Sequence, residues 1–237
     1  MKKNLLLIFI LYAPLLFSQE LTGTQLLKKA IQYHDPIGKW KTFNGELFIT
    51  MEIPEKQNRD SHIIINLPKQ YFSIKSTVED KVTRYIIEKD SVSIIFNEES
   101  KLSNKTLEEN RLSKSRAKLL QNYYTYLYGL PMKLNDPGTI IQEKIESKSF
   151  RGKNYWVLKA SYKKEIGNDT WYFYFNKDNY AMEVYQFFHD ESKNDGEYIL
   201  LSDEELVNSI KMPKIRAWYK NSDDTYLGTD ILKSSKQ

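Results

Sequence analysis

Three histidines, one glutamate on an aromatic strand and one arginine inside an apolar helical stripe are the side chains here whose types could do chemistry. His34, His62 and His189 fall on a helix, a strand and a strand end without the HExxH spacing that would bring two imidazoles to one metal. His34 shares a helical face with Leu27, Ala30 and Ile31, which reads as packing, and His189-Asp190 reads as a strand terminator before a turn. Acid–base work by two carboxyls needs them about 5–9.5 Å apart across a cleft. Glu183 is the one candidate, because Asp203-Glu204-Glu205 and Asp223-Asp224 are expected in solvated turns. With no cysteine there is no thiol nucleophile, disulfide framework, Cys-ligated metal or acylatable lipoprotein cysteine. GxSxG, P-loop and GxGxxG patterns are also missing from the sequence. The expectation is therefore a non-enzymatic protein, with no catalytic residue, no metal site and no cofactor.

Arg116 is the most informative single residue. At 100° per residue it projects among Leu120, Tyr123 and Leu127. It either snorkels or pairs with a strand carboxylate, or its guanidinium stands at a cavity mouth and meets an anionic or carbonyl head group. Arg111, Lys114 and Lys118 make a basic face that solvation explains, with transient contact to anionic lipid as the second reading. Tyr123, Tyr124, Tyr126 and Tyr128 could wall a ligand pocket or simply pack as core.

These residues need elements to hold them. Of 237 residues, 28% are charged and 41% hydrophobic, which excludes disorder and collagen-like structure. Met1, Lys2 and Lys3 followed by apolar Leu5 to Phe17 and small Ser18 read as an export signal over residues 1–18. The run is too short for a membrane anchor, which needs about 20 apolar residues. Without Lys2 and Lys3 the chain keeps 33 cations against 31 carboxylates, too mild a balance for a nucleic-acid surface. The mature chain, residues 19–237, reads as one exported, soluble domain, periplasmic or beyond.

Thr22 and Gln25 form a capping box for a helix with Leu26, Leu27, Ala30 and Ile31 on one face, ended by Asp35-Pro36. From Phe43 the period is two, with Leu47, Ile49, Met51 and Ile53 alternating with Glu46, Phe48, Thr50 and Glu52. Short strand-like runs follow to Asn97, separated by Pro68, Glu79-Asp80 and Lys89-Asp90. Residues 104–134 lose the alternation and carry Leu112, Leu119, Leu120, Tyr123, Leu127 and Leu130 on a helical stripe, as one long helix or two pieces. Thr106 with Glu109 is the expected capping box, and Gly129 with Pro131 the stop. Strands resume from Ile145 and run to Leu232. In Trp171-Tyr172-Phe173-Tyr174-Phe175, Trp171, Phe173 and Phe175 are expected on the inner face and Tyr172 and Tyr174 on the outer.

The order of elements resembles the bacterial periplasmic lipoprotein-localisation carriers (the LolA/LolB-like superfamily), through Tyr155-Trp156-Val157-Leu158, the hairpin at Asn176 to Tyr180, and Gly196 to Leu200. Ile210 to Lys214, Trp218-Tyr219 and Leu227 to Asp230 fit the same pattern. The resemblance implies a mainly β fold with helices (α+β): a curved antiparallel half-barrel of about eleven strands, an N-terminal helix and a mid-chain helical lid over an apolar cavity. The expected function is an exported carrier of a hydrophobic ligand or acyl chain, held by Trp156, Trp171, Phe173, Phe175, Leu120, Tyr123, Leu127 and Arg116. The alternative is a structural or interaction module of the envelope with a self-filled core and a protein partner. A membrane surface or an envelope protein is a further expected contact, nucleic acid is not, and the chain is expected to be a monomer.

Overall fold

In the computed structural model, described over residues 21–233, the period-two runs become one antiparallel sheet of thirteen strands. The expected export segment, residues 1–18, lies outside the described residues. Helix α1 (Gly23–His34) is followed by the meander β1 (Asn44–Glu52), β2 (Arg59–Asn66), β3 (Tyr71–Val78), β4 (Lys81–Glu88) and β5 (Ser91–Phe96). The helical insertion comes in two pieces, α2 (Asn104–Glu109) and α3 (Lys114–Gly129). Then come β6 (Thr139–Ile141), β7 (Glu146–Phe150), β8 (Lys153–Tyr162), β9 (Thr170–Asn176) and β10 (Met182–Phe188). The chain closes with β11 (Glu197–Val207), β12 (Ile210–Lys220) and β13 (Tyr226–Lys233). The three-residue β6 carries too short an alternation to be read from sequence.

The spatial order is β5-β4-β3-β2-β1-β13-β12-β11-β10-β9-β8-β6, with β7 also on β8. Pairing of β1 with β13, for example Thr50 opposite Ile231, joins the two halves of the sheet. The sheet is open, since its outermost strands β5 and β6 do not pair. It is nevertheless strongly curved, because residues of β2–β3 and of β8–β9, far apart in the strand order, wall a common cleft.

Side-chain alternation sets the inner face. Leu47, Ile49, Ile63, Ile65, Phe72, Ile74, Leu158, Phe173, Phe175 and Tyr185 all enter one buried cluster. Helix α1 covers the β8–β12 side of it: Leu26, Leu27 and Ala30 face inward, and Thr22 and Gln25 make the reciprocal capping box. Gly23 lets the helix approach, because a Cβ there would run into the Gln142 carbonyl. Helix α3 covers the β4–β5 side.

Local details differ from expectation. The caps of the lid helices are Ser103 for α2 and Ser113 for α3, not Thr106. Helix α3 starts at Lys114 and packs on Ala117, Tyr124, Leu127 and Tyr128, so that Leu119 turns outward at 55% exposure. Asp203-Glu204-Glu205 lies within β11, whose ladder with β12 runs on to Val207 opposite Ile210. The charges there sit on exposed or half-exposed positions, which a strand end accommodates as well as a turn. Tyr172 and Tyr174 belong to a second cluster behind the sheet, where Tyr174 is only 4% exposed under Phe150 of β7.

Candidate functional site: two cavities flanking the lid helix

Helix α3 lies in the trough without filling it. On one side is a cleft of about 890 Å³, walled by Ile65, Leu67 and Phe72 of the first half, Tyr123 and Tyr126 of α3, and Tyr162 and Trp171 of the second half. Tyr126 crosses Trp171 edge-on at 5.5 Å and hydrogen-bonds the Tyr162 hydroxyl. Burial raises both phenols, Tyr162 to about 12, so they stay protonated near neutral pH. Lys89, Lys133, Asp136, Glu165 and Asp169 complete this cleft, with Lys133 and Asp136 paired to each other.

On the other side, under the corner between α2 and α3, is a cavity of about 510 Å³. Ile74, Val78, Tyr85, Phe96, Leu112 and Leu120 supply its apolar wall. Its charged residues are Arg59, Lys81, Arg111, Arg116 and one carboxylate, Glu109. Glu109 is paired with Lys105, whereas none of the four cations forms an ion pair among the described residues. Arg59 donates to the Tyr124 hydroxyl at 3.2 Å and lies against the Met51 sulfur.

The side chains expected to bind ligand are thus divided. Trp171 and Tyr123 line the larger cleft, and Leu120 and Arg116 the smaller cavity. Phe173 and Phe175 are fully buried and Leu127 almost so, packed in the core and lining neither space. Trp156 is half-buried on β8 with the Lys177 ammonium 4.3 Å above its ring, and it too lines neither. Arg116 is exposed on the cavity wall.

Between the cavities the core holds a polar cluster that sequence reading missed. Arg216 and Asp230, each 1% exposed, stand opposite one another on β12 and β13. The Arg216 guanidinium lies 3.8 Å from the Tyr128 ring centre and donates to the Pro213 carbonyl. Arg59 Nε, Tyr128 and Tyr185 hydroxyls, Arg216 Nε, Trp218 Nε1 and Asp230 Oδ1 are buried without hydrogen-bond partners among the described residues. Burial raises the Asp230 carboxyl, and Arg216 and Arg59 pull it partly back. The signal was parity: Arg216 shares the face of Met212 and Trp218, and Asp230 that of Leu232.

The other chemistry-bearing candidates are engaged separately. Glu183 accepts from Lys153 (2.6 Å) and Asn176 (2.8 Å), His189 pairs with Asp169 (2.7 Å), and His62 with Glu46 (2.6 Å). His34 is buried between two backbone groups. Among the described residues no three of His, Asp and Glu are grouped as a metal site, and no helix is long and apolar enough to cross a membrane.

Residues 2–234 match the family described as a family of unknown function, DUF6503. No curated protein matches the sequence. Among solved structures, the fold is similar to a LolA superfamily protein from Nitrosomonas europaea, with TM-score 0.52 at 9% identity, covering 90% of this chain and 91% of that one. It is also similar to a DUF1329 family protein from Desulfovibrio piger, with TM-score 0.53 at 11% identity, covering 89% of this chain and 91% of that one. The fold expected from the order of elements is thus the one these structures share.

Proposed function

The chain belongs to the DUF6503 family, and from the cleft beside its lid helix we infer that it binds and carries an apolar ligand such as a lipid acyl chain, without catalysis. The observation that carries this reading is the space of about 890 Å³ left between two halves of a rolled sheet, edged by Trp171, Tyr123, Tyr126 and Phe72. Sites for small ligands occupy about 300–1,000 Å³ and are largely preformed. Moving apolar surface from water into such a cleft contributes about 2.5 kcal/mol per 100 Å² buried. The similarity of the fold to a LolA superfamily protein supports the same reading.

We place the protein outside the cytoplasm, as a monomer formed by one domain over residues 19–237 after loss of residues 1–18. A membrane surface or an envelope protein would then give or receive the ligand. Phe173 and Phe175, fully buried, favour a second reading in which the core is self-filled and the partner is a protein.

The two part on uptake of a neutral apolar dye. N-phenylnaphthylamine should bind the purified protein and be displaced by dodecanol, and Trp171→Ala should weaken the dye about tenfold, equivalent to about 1.4 kcal/mol. Absence of any uptake overturns the carrier reading in favour of the interaction module.

A further inference from the structure

We propose that the cavity of about 510 Å³ beneath the α2–α3 corner is a second, separate site that takes an anionic amphiphile, an acyl chain ending in a carboxylate or a phosphate. It goes beyond the apolar-ligand reading, which concerns the larger cleft. The first ground is charge. Lys81 comes from β4, Arg59 from β2, Arg111 from the turn between the helices and Arg116 from α3, so four chain segments deliver cations to one small space. None is in an ion pair among the described residues, and only Arg59 reaches a side-chain hydroxyl, that of Tyr124. The larger cleft is different, with two lysines against three carboxylates.

The second ground is where the cations sit on the helix. The amino end of α3 already carries the positive pole of the helix, which acidic side chains normally offset. Its first turn has no acidic residue, and Lys114 and Arg116 are placed there instead. An anion bound at this corner would meet both the side-chain charge and the helix pole. The third ground is the wall: Ile74, Phe96 and Leu120 line the same cavity as the cations and give it apolar surface for a chain. Arg59, whose Nε is buried without a partner, adds its charge from the inside.

A chain-matched series tests this in the full mature protein. Dodecanoate, dodecyl phosphate, dodecanol and dodecyltrimethylammonium are titrated below their micelle concentrations, with amide shifts read by NMR. The two anions should bind at least tenfold tighter than dodecyltrimethylammonium and shift Leu112, Arg116 and Thr83 amides. Comparing the two anions tells a carboxylate head from a phosphate head. Lys81→Gln with Arg111→Gln should abolish the preference for anions. Equal binding of all heads, or shifts confined to Gly167 and Trp171, overturns the proposal. Dodecanol uptake in the larger cleft without anion preference would leave the carrier reading standing and remove this one. Anion binding at the smaller cavity without dodecanol uptake would do the reverse.

Discussion

His34 shows how a residue that looks chemical becomes structural. The Met182 amide can only donate, so the Nε2 it meets at 2.9 Å is bare and the ring proton sits on Nδ1, which donates to the Lys211 carbonyl at 2.7 Å. The ring thereby ties α1 to the start of β10 and to β12. Burial holds its pKa below the ordinary imidazole value of about 6.5. The folded state binds fewer protons than the unfolded chain in that window, so the contribution of His34 is complete above about pH 6.5 and fades as pH falls through and below it. A His34→Ala variant should lose about 1–3 kcal/mol for each backbone group it orphans. Its denaturation midpoint should also fall less between pH 7 and pH 5 than that of the parent. Parallel pH profiles for the two would show that protonation of this ring plays no part. The packing role was legible because Leu27, Ala30 and Ile31 share its face. Its partners were not, since Met182 and Lys211 are brought to it only by tertiary folding.

At the scale of elements, the lid helix is fixed at both ends by small residues. Ser113 accepts the Arg116 amide at the amino end, and Gly129 lies so close to Trp40 at the other that a Cβ would collide with the indole. Ser113→Ala should cost about 0.5–2 kcal/mol, with faster hydrogen exchange confined to the first turns of α3. Exchange that rises evenly across β1–β13 would mean that the cap does not act locally. Existence of the helical insertion and its possible break were readable from the loss of alternation after Asn104. The phase was not, because Leu119 and Leu120 are equally apolar and only packing against the sheet decides which of them faces it. The same one-residue uncertainty hid the smaller cavity. Arg111 and Arg116 look like unrelated surface charges until Lys81 and Arg59, from distant strands, are set beside them.

Across the whole molecule, the strands were readable from period-two alternation and the curved sheet from the family resemblance, whereas the register between segments far apart in the chain was not. Thr50 opposite Ile231 is such a pair, and nothing local in either segment announces it. The main buried cluster draws on both halves of the sheet, which implies one unfolding event. Ile63→Ala, in the centre of β2, should cost about 2–5 kcal/mol. All four tryptophans lie outside β1–β5, yet their fluorescence should report the full loss. A tryptophan transition unmoved by this substitution would mean that the halves melt independently. The β1–β13 seam also has a temporal consequence. The first hairpins can form early, but β1 keeps a bare row of amides and carbonyls until the last strand emerges, and such rows recruit other chains. The order of the strands along the chain thus leaves that edge open to intermolecular pairing for longer than any other hairpin of the first half.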